Sequence, residues 1–501
     1  MKETVDISTF ISRKSIILMR DSSRVITRAH IPGGGLSRID HVIDRVLKLS
    51  EEEADKVMHT VCDKFNDRHK DIERQITEHF DNVSSFLPHD ITISKVKKVL
   101  IGAYFTMEYS IESAALFNPS MIPHPDQSDL PEGSLRFIMS LRATGEGHIS
   151  SIVFRSGVIN RDDSIYFDAI SEFVETSKMR HNPFYDSHLF RRKLEDLNAW
   201  DETSLRVMEQ IPDRFTFQEL KVSIGVLHMD PDFTCNDNVI NTLFWLANSN
   251  YNIQFNESCP VSERVIFPYS ENENRGIEDA RFVKFYDDDE SIYYATYTAY
   301  NGVSILPQLI ETKDFLNFSV ITLNGKAVQN KGMALFPRKI KGKYVMLSRQ
   351  DGENNHIMFS DHLHFWHESK IIQEPQKPWE FIQIGNCGSP IEINEGWLVL
   401  THGVGPMRQY SIGAILLDLD DPTKVIAQLE EPLLTPNEEE REGYVPNVIY
   451  SCGGLLHKNK LIIPYAMSDI SSGIATIEVS DLLSCMKFHE QEDEAQSPAG
   501  A

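Results

Sequence analysis

Arg275-Gly276-Ile277-Glu278-Asp279-Ala280-Arg281-Phe282-Val283-Lys284-Phe285-Tyr286, then an acidic turn from Asp287 to Glu290, then Tyr293-Tyr294-Ala295-Thr296-Tyr297-Thr298-Ala299-Tyr300-Asn301-Gly302, decide the fold class of this chain. Both runs are short, rich in aromatic and β-branched residues, and bounded by turn formers, which predicts two strands. The first run opens with two acids and two arginines around a glycine. A carboxyl group just before a strand, flanked by cations, is placed for proton transfer in a cleft; the same pattern also fits a surface salt-bridge cluster.

The pattern spreads outward. From 216 to 480, strand follows strand at roughly 8–12-residue spacing, as at 343–348, 396–401, 411–418 and 460–465, with Gly, Pro, Asn or Asp turns between. Two more runs, 135–141 and 148–154, precede a charged, helical insertion expected at 167–215, with Pro183 and Pro212 as breakers. Regular short strands predict a sandwich, barrel or propeller. Similar pieces at 247–255 and 360–366 hint at a degenerate repeat of roughly 50–70 residues, which favours a propeller.

Residues 1–112 are expected to be largely helical. Ser50 and Glu53 form a capping-box pattern, and Ala54, Val57, Val61 and Phe65 follow at helical spacing. A second helix is expected from Lys70 to Phe86, and a third from Ser94 to about Ala115, ending at Asn118-Pro119. The main β domain then runs over 113–485, and the small, polar tail at 486–501 reads as disordered.

The chain has 501 residues, 41% of them hydrophobic, enough for sizeable cores, and a net charge of -25. That charge excludes a nucleic-acid or anionic-membrane surface as the main partner while leaving room for a local cationic pocket. Six cysteines without a CxxC pair read as free thiols of a reducing compartment. The start lacks the apolar core of a signal peptide, and no run reaches the roughly 18 apolar residues of a membrane helix, so a cytoplasmic protein is expected.

Four further stretches carry chemistry. Asn118, Ser120 and Arg142 lie near strand ends and suit hydroxyl recognition in a sugar, while Arg142, Glu146 and His148 also form a possible acid–base set or a turn with surface ion pairs. Arg349 ends an apolar strand and either reaches a central cavity or is solvated. His402 ends another, between a hydroxyl residue and glycine, where a buried structural histidine is the alternative. Asp469 follows a strand and binds a hydroxyl pair or starts a turn. His362, His364 and His367 are close, but alternation puts only the first two on one strand face without a cysteine or acid cluster, so no metal is expected. No Gly-x-Ser-x-Gly elbow supports serine-hydrolase chemistry.

Taken in order, these stretches resemble glycoside hydrolase family 130, which contains inverting phosphorylases of β-mannosides and some β-mannosidases. The matching segments include Asn118-Pro119-Ser120, Ser140-Leu141-Arg142, Gly276 to Arg281, Tyr297 to Tyr300, Leu347-Ser348-Arg349, Ile384-Gly385, His402-Gly403-Val404, Tyr444 to Val448 and Asp469. The resemblance implies a five-bladed β-propeller with an N-terminal helical region. It implies Asp279 as general acid, with Asn118, Ser120, Arg142, Glu278, Tyr300 and Asp469 around the mannosyl unit. Arg349 and His402 match phosphate-binding positions. Gln383 stands where phosphorylases of the family often carry lysine, and Lys370 is the nearest cation to the place of a second phosphate arginine. The implied reaction converts a β-linked manno-oligosaccharide and phosphate to α-mannose 1-phosphate with no other cofactor. Glycoside cleavage ordinarily needs two carboxyl groups, but phosphate is already an anionic nucleophile, so one acid suffices. A β-mannosidase on the same fold would need a second carboxylate, with Glu146, Glu392 and Glu442 available, and a non-catalytic sugar-binding propeller would not need Asp279. A homo-oligomer is expected.

Overall fold

A computed structural model of the chain describes residues 7–33, 35–88, 91–181, 184–287, 290–302 and 305–489. Among these, five sheets of four to six strands follow one another along the chain. The first is built on Ala115–Pro123, Leu135–Thr144, Ser150–Ile159 and Arg264–Ile266. The second runs from Ile277–Asp287 through Glu290–Tyr300, Ile305–Thr312 and Asn317–Thr322 to Tyr251–Gln254 and Lys178–His181. The third holds Lys331–Leu335, Tyr344–Arg349, Asn355–Ser360 and Lys370–Gln373. In the fourth, Gln383–Asn386 and Ile391–Ile393 flank Gly396–Val404, followed by Tyr410–Leu417 and Val425–Leu429. In the fifth, Ile449–Tyr450 and Leu455–His457 flank Lys460–Met467, followed by Ser471–Glu478.

The sheets pack face to face in chain order. Ala115–Pro123 packs on Ile277–Asp287, that strand on Lys331–Leu335, and that in turn on Gln383–Asn386. Tyr410–Leu417 meets Ile449–Tyr450, and Lys460–Met467 returns to Ala115–Pro123. A strand covered on both faces reads as a continuous apolar run rather than an alternation. Gly396–Val404 is such a strand, buried at every residue.

Both chain ends are stitched into this array. Ser12–Leu18 pairs with Ser471–Glu478, and Met486–Phe488 pairs with Val425–Leu429. The expected tail therefore begins later than 486; residues 490–501, on which the disorder expectation also falls, lie outside the described residues.

The N-terminal region is helical with β-strands added. Helices Leu36–Leu47, Glu51–Phe65, Ile72–Asp81 and Lys95–Tyr104 share a core of Ile39, Ile43, Ile76, Phe80 and Leu100. The Ser50–Glu53 capping box forms as expected. The last helix stops at Tyr104 instead of Ala115, because Thr106–Ser110 pairs with Val25–Ala29 and Ala115–Pro123 opens the first sheet. Its β-branched and aromatic residues are claimed by sheet pairing over helix.

The insertion is also longer than expected. Residues 165–186 hold short strands, and the helices are Ser187–Asp196, Glu202–Glu209, Phe217–His228 and Asp237–Asn248. Residues 217–248 are thus helical where strands were expected; the Thr216–Glu219 capping box was the legible signal. His362 and His364 sit in a turn rather than on one strand face. No helix among the described residues is long and apolar enough to cross a membrane.

Candidate active site

The first strand of each of the first three sheets carries a slip in register. Pairing slips between Phe117 and Ser120, between Glu278 and Arg281, and between Lys331 and Ala334. Such bulges bend a strand and re-aim its side chains. Asn118 (φ 48°) and Asp279 (φ 56°) occupy left-handed backbone at two of them, and Gly332 (φ 87°) at the third. Asp469 (φ 53°) is left-handed in the turn after Lys460–Met467. Asn and Asp tolerate this region better than most residues, and such strain gathers at functional sites.

The bulges bring three groups onto one carboxylate pair. Asn118 Nδ2 donates to Asp279 Oδ1 at 2.6 Å, and Arg142 Nη1 approaches the same oxygen at 3.5 Å. Arg142 Nη2 donates to Glu278 Oε1 at 2.8 Å, and Lys331 Nζ donates to Glu278 Oε2. The opening cluster is therefore a half-buried cleft network rather than a surface salt bridge.

Two aspartates here are pushed in opposite directions. Burial raises the Asp279 pKa, but Arg142, Lys331, Arg281 and the Asn118 hydrogen bond outweigh it and hold the carboxyl below its ordinary range. Burial, helped by Asp279 and Glu278 and opposed by Arg142 and Arg408, pushes Asp469 up to about 6. Asp279 is thus ionised in the free protein at neutral pH.

A second cluster adjoins it. Arg349 Nη1 lies 2.9 Å from His402 Nε2. Burial first, then Arg349 and Arg281, lower the His402 pKa well below its usual value, so the ring is neutral and Nε2 accepts from Arg349. With its amide turned to satisfy both ends, Gln383 accepts from Arg349 Nη1 at 2.6 Å and donates to the Gly352 carbonyl at 3.3 Å. Tyr410 stacks parallel to the His402 ring at 6.1 Å and Tyr450 meets it edge-on at 5.0 Å. Gly385 is required here: a Cβ would stand 2.8 Å from His402 Cε1 and 3.2 Å from Arg349 Cδ.

Arg281 joins the two clusters. It donates to Asn386 Oδ1 at 3.0 Å and to the Tyr450 hydroxyl. A Cβ on Gly332 would lie 3.2 Å from Arg349 Cβ and 3.5 Å from Arg281 Nη1, so the bare glycine leaves room beside both arginines. A small pocket lined by Asp279, Arg281, Thr298, Asn330, Lys331 and Gly332 opens on the Asp279 side. Across the two clusters, Asn118 Oδ1, Arg142 Nε and Arg349 Nε are buried without a hydrogen-bond partner among the described residues, unmet polar groups of the kind a ligand satisfies.

Asn118, Arg142, Glu278, Asp279 and Asp469 are brought together, and Arg349, His402 and Gln383 form the adjoining group. Ser120 is not part of the cleft; fully buried, it accepts from Phe282 N at 3.2 Å and ties the first sheet to the second. Tyr300 closes the strand at the rim, its hydroxyl donating to the Gly302 carbonyl at 3.1 Å. Lys370 is also misplaced as an expectation: it starts the outermost strand of the third sheet and is exposed. Of the spare carboxylates, Glu392 is held by Arg338 at 2.7 and 2.8 Å on an exposed edge, and Glu146 and Glu442 are exposed. Two further cations, Arg281 and Lys331, reach the site, a role the sequence reading gave to neither. Lys331 stands before an apolar strand run, as Asp279 does, and that parallel was the available signal. Among the described residues, Glu175, Cys259 and Glu263 come within metal-ligating range of one another, but Glu263 is taken up by Lys70 and Ser171.

A family model described as beta-1,4-mannooligosaccharide phosphorylase matches residues 238–488. The chain is 38% identical over 226 residues to a 1,2-beta-oligomannan phosphorylase of Thermoanaerobacter sp. (strain X514), covering 44% of this chain and 75% of that one. It is 30% identical over 244 residues to a beta-1,2-mannobiose phosphorylase of Listeria innocua, covering 46% of this chain and 64% of the relative. A solved structure of a Listeria innocua beta-1,2-mannobiose phosphorylase in complex with beta-1,2-mannobiose aligns over 75% of this chain and 92% of its own, at a TM-score of 0.44 and 22% identity. The family model spans half the chain and takes in both Asp279 and the Arg349–His402 pair, and the chain belongs to glycoside hydrolase family 130.

Proposed function

We propose that the protein is an inverting phosphorylase that cleaves β-mannosides with inorganic phosphate to give α-mannose 1-phosphate. The observation that carries this reading is a carboxyl, Asp279, set among the cations Arg142, Lys331 and Arg281, with Arg281 leading on to an adjoining cluster of Arg349 and the neutral His402. Asn118, Arg142 and Asp469 hold the mannosyl unit. Phosphate sits against Arg349 and His402, with Arg281 and Lys331 supplying the charge that Lys370 does not.

A phosphate oxygen attacks the anomeric carbon as the glycosidic C–O bond breaks, and the departing oxygen takes a proton that originates on Asp279. In this family a sugar hydroxyl relays it. Preorganised cations stabilise the phosphate throughout. Asp279 is held ionised by Arg142 first and then by Lys331 and Arg281, and the last two also belong to the phosphate side. An incoming phosphate offsets their charge and lets the Asp279 pKa rise, so the acid becomes competent when the nucleophile is in place. The binding energy of phosphate thus does chemical work at the opposite end of the bond.

We read the five sheets as the blades of a β-propeller. Their order along the chain, the packing of each on the next, and the return of the fifth to the first support this. The axis would pass beside the three register slips that aim Asn118, Asp279 and Lys331 inward.

A hydrolase is the second reading. It is favoured by one observation: Gln383 accepts from Arg349 where a lysine would offer phosphate another cation. Incubation with β-1,2- and β-1,4-mannobiose, with and without phosphate, separates the two. Mannose 1-phosphate formed only with phosphate supports the phosphorylase. Free mannose released at the same rate in both arms refutes it.

A further inference from the structure

A second cavity, of about 330 Å³, lies between the helical insertion and the far strands of the second sheet, walled by Tyr185, Phe190, Leu246 and Ile321. Its lining includes two cations, Lys193 and Arg214, and the His364 ring, in a chain whose net charge is -25. Lys193 is 5% exposed, and its ammonium donates to the Leu323 carbonyl at 3.0 Å. An ammonium has three N–H groups, so two are left for other acceptors. His364 Nε2 is buried with no hydrogen-bond partner. Arg214 lies over the Phe184 ring at 5.1 Å and has no ion pair among the described residues. Of the acids, Asp186 also lines the cavity and caps Leu189 N at 2.9 Å, and Asp196 accepts from Gly325 N at 2.9 Å while partly offsetting the Lys193 charge.

Burying a positive charge with one acceptor is costly. The cost registers as a Lys193 pKa pushed down to about 8 by burial, against a partial correction from Asp196. Burial lowers His364 as well. Folding keeps these donors pointed into an open cavity instead of replacing them with apolar residues, which is the arrangement of a ligand site rather than of a core. The aromatic walls and Asn324 leave room for a ring beyond the charged group.

We propose that this cavity binds a small phosphorylated sugar, its phosphate held by Lys193, Arg214 and His364, at a site separate from the catalytic cleft. Lys193 and Arg214 supply charge-assisted hydrogen bonds, and His364 Nε2 donates the third. The site is not remote in bonding terms: Leu323, which accepts from Lys193, donates its N–H to Pro307, a residue of the catalytic pocket.

The test is calorimetric titration of the full chain with inorganic phosphate and, separately, with α-mannose 1-phosphate. An Arg349→Met background removes the main catalytic phosphate contact. Residual saturable binding of mannose 1-phosphate in that background is expected, weakened about tenfold or more by adding Lys193→Met. Lys193→Met alone should leave turnover at low product within about twofold of the parent, since Lys193 touches nothing in the cleft. Should Lys193→Met not fold, Arg214→Gln, on an exposed residue, should weaken the residual binding at least about threefold. No residual binding in the Arg349→Met background, or residual binding indifferent to both substitutions, overturns the proposal. Equal affinity for inorganic phosphate and mannose 1-phosphate overturns the sugar part of it.

Discussion

Replacing Arg349 by methionine tests the division of the cleft into a sugar side and a phosphate side. Methionine keeps most of the length and apolar stem but removes the guanidinium. The structure assigns that group two neutral partners, His402 Nε2 at 2.9 Å and Gln383 at 2.6 Å, and no carboxylate among the described residues. Its charge is therefore uncompensated by the protein and available to an anion. A charge-assisted hydrogen bond contributes about 1.5–3 kcal/mol, which is roughly 10- to 150-fold in an equilibrium or rate constant. The variant should lose that factor in kcat/KM for phosphate at saturating mannobiose. The KM for mannobiose should move less than about threefold, because Asn118, Arg142 and Asp279 keep their contacts. Initial rates read by mannose 1-phosphate release, with circular dichroism to confirm folding, give both numbers. Equal losses for the two substrates, or a loss under about threefold for phosphate, would refute the assignment of Arg349.

Three further substitutions probe other parts of the reasoning. Asp279→Asn keeps a hydrogen-bond acceptor for Asn118 but cannot deliver a proton, so kcat should fall by about 10²–10⁴-fold with mannoside binding retained; a variant with parental kcat would remove the acid from Asp279. Asp469 has a folded-state pKa near 6, above its unfolded value, so its stabilising effect is present in acid and lost as pH rises from about 4 to 6. Parental protein should lose about 1–2 kcal/mol over that window relative to Asp469→Asn, allowing for partial exposure; parallel stability-versus-pH curves by urea unfolding would contradict the shift. Glu112 is fully buried between Arg24 and Arg155, and Glu112→Gln should cost about 3–5 kcal/mol by stranding two arginines, read as a lower midpoint in urea; an unchanged midpoint would show that the cluster is not holding the N-terminal segment to the first sheet.

What could be read from the sequence followed the period of its apolar residues. The strands of the third to fifth sheets are short, apolar and bounded by turn formers, so local pattern and tertiary role agree. The helix from Lys95 was extended too far because nothing local distinguishes its C-terminal turn from Thr106–Ser110; pairing with Val25–Ala29, some eighty residues away in sequence, makes that difference. Helix Phe217–His228 was missed for the opposite reason. Its Val and Ile residues resemble a strand, and only the Thr216–Glu219 cap marks its start. In the site, residue identities were legible but partnerships were not. Ser120 has the chemistry of a sugar ligand, yet the slip that turns Asn118 toward Asp279 leaves Ser120 facing Phe282 N. Lys370 has the charge a phosphate needs, yet it belongs to the fourth strand out.

The register slips explain why one kind of backbone feature serves two opposed chemical needs. A regular strand would point Asn118 and Asp279 into the packed faces between sheets, where an unpaired carboxylate is too costly to keep. The slip frees each from the ladder and turns it toward the cleft, at the expense of a left-handed φ. Lys331 is brought in by the corresponding slip one sheet further, and Gly332 leaves room there beside both Arg281 and Arg349. Acid and cations are consequently fixed by the same type of joint on neighbouring sheets. Their separation is set by how the sheets pack rather than by flexible loops. On the proposed phosphorylase reading, a site built this way would hold Asp279 ionised until an anion arrives, and the timing of the proton would follow from the same packing that places the cations.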